Sequence, residues 1–197
     1  MGRKGWAIGA GALAVGVLLL GLVFQNQADF SRDYVKRELS EKGIFFTPAA
    51  NLLPQQKDIA CLNKYAEKPL TTGKQAECYA RYQIGIDLTV IDGGKTYFQD
   101  HYNGYLARVA AAQALQSDPG STATADLVKK AEQVQRTADD LLAGEATRGL
   151  LLSAYAFSVI GDRLATAALV CFIIAALLLI VGVFMLVTSG RNRPAIA

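Results

Sequence analysis

Two long runs without a charge decide most of what this chain can fold into. Trp6 to Phe24 reads WAIGAGALAVGVLLLGLVF, nineteen residues, and Leu164 to Val187 reads LATAALVCFIIAALLLIVGVFMLV, twenty-four. Wound as helices at about 1.5 Å per residue, both are long enough to cross a hydrocarbon core of about 30 Å. They account for much of the 52% hydrophobic content of a 197-residue chain, a level outside the usual soluble range.

Charge then orients the two runs. Arg3 and Lys4 precede the first and Arg191 and Arg193 follow the second, while all seventeen Asp and Glu residues lie within 25–163 together with the other sixteen Lys and Arg. The short tails carry +4 and the intervening segment −1, so by the positive-inside rule both termini are expected in the cytoplasm. The net +3 follows from topology and gives no footprint for nucleic acid.

The expected organisation is a cytoplasmic tail at 1–5, a transmembrane helix at 6–24, an extracytoplasmic helical domain at 25–163, a second transmembrane helix at 164–187 and a cytoplasmic tail at 188–197. The expected class is an all-α, multi-pass protein of the plasma membrane, with an antiparallel helical bundle between its two spans. A cleaved signal peptide is the competing reading of the first run. Its nineteen apolar residues exceed the usual 7–15 of a signal core, and Gln25-Asn26-Gln27-Ala28 lacks a small-x-small cleavage site.

Within 25–163, Phe30, Tyr34, Val35 and Leu39 form an apolar stripe at helical spacing, so the first span is expected to continue outward to a cap at Gly43. The segment from Ile44 to Pro69 is rich in Pro and Asn and reads as an extended connection anchored by Phe45, Phe46, Leu52 and Leu53, with local pairing possible at 44–46. Thr72-Gly73-Lys74-Gln75 has the order of a capping box and opens a helix to about Ile91, placing Tyr79, Tyr82, Ile86 and Val90 on one side. Asp92-Gly93-Gly94 ends it.

A further helix from about Thr96 to Gln116 carries Tyr97, Tyr102, Tyr105, Leu106 and Val109, and Ser117 to Ser121 turns the chain. From about Thr124, the residues Leu127, Ala131, Val134, Ala138 and Leu141 recur at steps of four and three, the seam of a bundle helix. Gly149 to Ile160 is apolar but too short to span, and belongs at the bundle base or the lipid interface. In the first run, Gly5 with Gly9 and Ala12 with Gly16 give small-xxx-small spacing, a candidate helix contact with the second span.

Cys61 and Cys78 share the external segment, seventeen positions apart, and Cys171 sits in the second run. Outside the membrane a Cys61–Cys78 disulfide is the expected state, worth about 3 kcal/mol for such a loop. A metal pair is the weaker alternative, because two Cys and one distant His leave a tetrahedral site incomplete.

No catalytic, cofactor or metal site emerges from the remaining chemistry. Gly93-Gly94-Lys95-Thr96 ends like a phosphate-binding loop, but the position that should be its first glycine is Thr89. His101 is the single histidine, which rules out a two-histidine iron site within one chain and leaves no Gly-x-Ser-x-Gly elbow to serve. Its neighbours Tyr97, Phe98, Tyr102 and Tyr105 suggest aromatic packing, with Tyr79, Tyr82, Tyr97, His101, Tyr102 and Tyr105 as candidate ligand or partner contacts. Asp139 and Asp140 point about 100° apart on a helix and read as a solvated face.

Gly93-Gly94-Lys95-Thr96-Tyr97, Tyr79-Ala80 upstream and Thr147-Arg148-Gly149-Leu150-Leu151-Leu152 resemble a family of actinobacterial two-span membrane proteins of unknown function. Some members carry a ring-opening dioxygenase name, which the single histidine argues against. The resemblance implies an actinobacterial cell envelope and transfers no catalytic residue. Two roles follow: a non-catalytic, membrane-anchored interaction or accessory protein, or a bundle binding a lipid or quinone-like ligand at the membrane surface. The expected partners are membrane lipid and other envelope proteins or a second copy, with no nucleic acid.

Overall fold

The computed structural model describes residues 3–91 and 93–191. Arg193 and Asp92, used above for orientation and for a helix end, lie outside the described residues. Nearly all of the rest is helical: α1 (Arg3–Glu41), α2 (Ala60–Tyr65), α3 (Gly73–Cys78), α4 (Gly85–Ile91), α5 (Tyr97–Ser117) and α6 (Thr122–Arg191), with a π-helical turn, Tyr79–Ile84, joining α3 to α4. Among the described residues no strand forms, and the one β-bridge pairs Phe45 with Pro69. The chain divides into two compact units, Glu38–Ala156 and the residues before and after it.

In the first unit α1 and α6 pack antiparallel through small side chains. Ala7, Ala14, Gly21, Ala28 and Val35 are buried at steps of seven, and so are Gly161, Ala168, Ala175 and Gly182. A heptad repeat keeps one seam turned toward a partner along a pair of helices crossing at a small angle. Built at Gly182, a Cβ would lie 3.7 Å from the Ala7 carbonyl oxygen; at Gly161 it would come within 2.9 Å of Ser31 Oγ. The backbones are therefore close enough that only glycine fits at Gly161. Ser31 donates to the Phe157 carbonyl at 2.8 Å, and Arg32 pairs with Asp162 at 3.0 Å.

The contact expected at Gly5, Gly9, Ala12 and Gly16 is not the one formed. All four are exposed, and a Cβ at Gly5, Gly9 or Gly16 would meet nothing within 4 Å. Small-xxx-small spacing suits a steep right-handed crossing, whereas this antiparallel pair follows the seven-residue repeat. Both helices are long and apolar enough to cross a membrane, and their large side chains, Leu20, Leu22, Leu177 and Phe184 among them, face outward.

The second unit, Glu38–Ala156, takes in the last turn of α1, which Gly43 follows at φ +60°. Of the four expected anchors, Phe46 and Leu52 are buried, Leu53 is half-buried and Phe45 is 60% exposed. Phe46 packs against Tyr65 and Tyr79 at 5.4 and 5.2 Å between rings, and its N–H and carbonyl bond Lys68 and Glu67. Cys61 and Cys78 are joined in a disulfide that ties α2 to the end of α3.

Thr72 caps α3 as its sequence order requires: its Oγ1 accepts from the Gln75 N–H at 3.3 Å, and Gln75 Oε1 accepts from the Thr72 N–H at 3.0 Å. The helix then departs from expectation. Its buried positions are Gly73, Gln75, Ala76, Cys78, Ala80, Gln83 and Leu88, while Tyr82 and Val90 are exposed and Tyr79 and Ile86 half-buried. The wide π turn, Tyr79–Ile84, adds a residue ahead of Leu88 and shifts the apolar face. Leu88 in turn meets α6, where a Cβ at Gly144 would overlap Leu88 Cδ2.

Helix α6 corrects its expected seam in part. Ala131, Ala138 and Leu141 are buried, Val134 is half-buried against Gly104 of α5, and Leu127 is 38% exposed. The stretch Gly149 to Ile160 belongs to the same helix, with Leu151 buried and Leu150 exposed.

Candidate functional site

A buried polar network lies beside the π turn. A π segment offers carbonyls that the ordinary i−4 ladder leaves underused. The Gln56 amide reaches two of them, Tyr82 at 3.4 Å and Gln83 at 3.3 Å, and donates to Asp87 Oδ1 at 2.8 Å. Gln56 Oε1 accepts from the Leu53 N–H at 3.0 Å, and Gln83 donates to Thr47 Oγ1. Burial raises the Asp87 carboxyl above the usual carboxylate range, against the Gln56 hydrogen bond, which lowers it. The Tyr79 hydroxyl is likewise raised, first by burial and then by the Asp87 charge. The Gln56 amide serves backbone and a carboxylate, and the Gln83 amide the hydroxyl and N–H of Thr47, so the network closes on itself and fixes the π turn.

The candidate contact residues fall on two elements. Tyr79 is part of the Phe46 core and Tyr82 sits on the outer side of the π turn. Tyr97, His101, Tyr102 and Tyr105 belong to α5. Thr96 caps that helix by accepting from the Gln99 N–H, so Gly93 and Gly94, at φ +62° and +88°, form a turn into a helix start. Tyr97 packs against Phe98 at 5.3 Å and His101 at 5.4 Å, with its Oη 3.4 Å from His101 Nδ1.

The inward face of α5 is small or polar: Asp100, Gly104 and Ala111 are buried, and Lys95 pairs with Asp100 at 3.5 Å. Its large side chains are outside. Phe98 is 79% exposed, Tyr102 61% and Tyr105 54%, with Leu106 and Val109 also exposed. Phe98, Tyr102, Tyr105 and Val109 follow steps of four, three and four, and at 100° per residue they lie opposite the buried Asp100–Gly104–Ala111 face. Of the aromatic packing expected around His101, His101 packs on Tyr97 and Tyr97 in turn on Phe98, while Tyr102 and Tyr105 face outward.

Hydrophobicity alone assigns α5 the wrong inner face. The missed signal is the small-residue set Gly104, Ala107, Ala111 and Ala114, which also repeats at helical spacing and permits closer approach to α6. Between α5 and α6 runs an open groove of about 450 Å³ lined by Ala111, Leu115, Val128 and Ala131, with Arg108 and Arg136 at its rim. Gln135 Oε1, on its wall, is buried without a partner among the described residues. Among these residues no group of three or more His, Cys, Asp or Glu could hold a metal.

Compared with known protein families, curated proteins and solved structures, the chain matches none.

Proposed function

We propose that this is a non-catalytic, two-span protein of a bacterial envelope whose 25–163 segment, held outside the membrane, docks other proteins through the outer face of α5. The carrying observation is the stripe of Phe98, Tyr102, Tyr105 and Val109 turned away from the unit that α5 belongs to. An apolar patch of several hundred Å² on a surface helix marks a protein or membrane contact. The buried polar side chains support the non-catalytic reading, since Gln56, Gln75 and Gln83 are spent on holding helix ends and turns.

Membrane insertion is supported by more than run length. Trp6 is exposed near one end of the α1–α6 pair, and Phe30, Tyr34 and Phe157 gather at the other with the Arg32–Asp162 ion pair. Aromatic side chains favour the two interfaces of a bilayer, and from Trp6 to Phe30 a helix rises about 36 Å, between the hydrocarbon and full bilayer thicknesses. The tail charge of +4 against −1 supports cytoplasmic termini. The resemblance at Gly93 to Tyr97 supports an actinobacterial setting.

The groove beside Gln135 favours a second reading, a lipid or quinone-like ligand held between α5 and α6. Purification of the full chain from native membranes in mild detergent, followed by mass spectrometry, separates the two. Protein bound through α5 supports docking. A stoichiometric lipid or quinone on a chain without protein partners overturns docking in favour of the second reading.

A further inference from the structure

Resting on the docking reading, we infer that the occupant of the α5 face is a second copy of this chain, with the two α5 helices antiparallel about a twofold axis between Tyr102 and Tyr105. The steps of four, three and four from Phe98 to Val109 read the same from either end. In an antiparallel helix pair, such a stripe places Phe98 of each copy against Val109 of the other and Tyr102 against Tyr105. The large ring of Phe98 then meets the small Val109 side chain, and two half-exposed tyrosines meet at the centre, where the fullest desolvation falls.

Area and charge agree with this occupant. Aromatic side chains present about 150–250 Å² each, so the exposed parts of Phe98, Tyr102, Tyr105, Leu106 and Val109 offer about 500 Å² per copy. Two copies then bury about 1,000 Å², the size at which a specific interface begins. Within α5 the charged residues are Asp100, buried against Lys95, and Arg108 at the edge of the stripe, whereas the exposed side of α6 carries Lys129, Lys130, Glu132, Arg136, Asp139 and Asp140. A partner of opposite charge, or an anionic headgroup surface, would have one arginine to read on the stripe. A second copy needs none.

The test uses the full chain in lipid nanodiscs and in mild detergent, with a photo-crosslinking phenylalanine analogue replacing Tyr105 and with the double variant Tyr102→Glu/Tyr105→Glu. The expected result is a dimer by native mass spectrometry, a crosslink from position 105 to Tyr102 of another copy, and at least a tenfold weaker dimer in the double variant. Both side chains are exposed in the single chain, so its melting temperature should hold. Co-expressed Phe98→Cys and Val109→Cys chains should join in a mixed disulfide. A double variant that remains fully dimeric, or a crosslink to a different protein, overturns the self-pairing and leaves docking standing. A monomer with no crosslink at all likewise overturns the self-pairing alone, whereas a crosslink to lipid overturns both.

Discussion

The α1–α6 pair and the region from Ile44 to Leu88 bury opposite kinds of side chain. In the pair, alanine and glycine face inward and leucine, isoleucine and phenylalanine face out; in 44–88, Phe46, Leu52, Leu62, Leu70 and Leu88 are inside. Water explains the second arrangement, since burying one such side chain there is worth about 1.5–3 kcal/mol. On the proposed insertion the pair lies in lipid, where that gain disappears and close backbone contact decides instead. Helix α5 belongs to the second unit but is built by the first rule. With Asp100, His101, Asn103 and Arg108 it is too polar to be a span, and under the docking proposal its large outward side chains meet a protein surface.

The strongest way to break this comparison is at Leu141, a large residue that α6 buries three positions after Ala138. Leu141→Ala should cost about 2–5 kcal/mol, a large part of a domain's stability of about 5–15 kcal/mol. Leu127→Ala, at a position 38% exposed, should cost less than about 1 kcal/mol. Chemical unfolding followed by circular dichroism in mild detergent reads both. Equal losses would mean that α6 has no privileged inner face.

Much of this was legible in the sequence. The two runs, the cap at Thr72, the helix start near Thr96, the turns and the cysteine pairing are short-range patterns, each fixed by a few residues. The inner faces of α3–α4 and α5 were not. A π turn re-phases everything after Gln83 and leaves no mark in a 3.6-residue pattern, and a hydrophobic stripe cannot say whether it is covered by its own chain or by another. The same ambiguity moved the span contact from Gly5 and Gly9 to Ala7 and Gly182. Of the candidate site, Tyr97, His101, Tyr102 and Tyr105 were legible as one helix face or its edge, while Tyr79 belongs to the core.

Glycines at the crossings sharpen the comparison at the next level of effect. Gly144→Leu must displace Leu88, an overpacking that typically costs about 1–3 kcal/mol. Gly161→Leu forces α1 and α6 apart at Ser31 and should reduce disulfide trapping between cysteines placed at Ala7 and Gly182. Gly9→Leu, with nothing within 4 Å, should leave that trapping unchanged. If Gly9→Leu disrupts the pair as strongly as Gly161→Leu, the four-residue small pattern is the true contact.

The smallest expected effect lies in the polar network, at Asp87. Its carboxyl holds a proton more tightly in the folded chain than in the unfolded one, because burial disfavours the charged form. A carboxyl raised in this way lowers stability as pH rises from the unfolded carboxylate range through the folded value, and costs nothing below both. Asp87→Asn keeps an oxygen to accept from Gln56 Nε2 and removes the buried charge. The variant should therefore melt slightly above the parent chain at neutral pH, with the difference vanishing near the acid end of the carboxylate range. Gln56→Ala should destabilise at every pH, since it strips the Tyr82 and Gln83 carbonyls of their donor and the Leu53 N–H of its acceptor. An Asp87→Asn variant that melts below the parent chain at neutral pH, with the deficit shrinking on acidification, would mean the carboxylate stabilises the π turn as a charge, and the network would then belong with sites that hold an ion and not with packed cores.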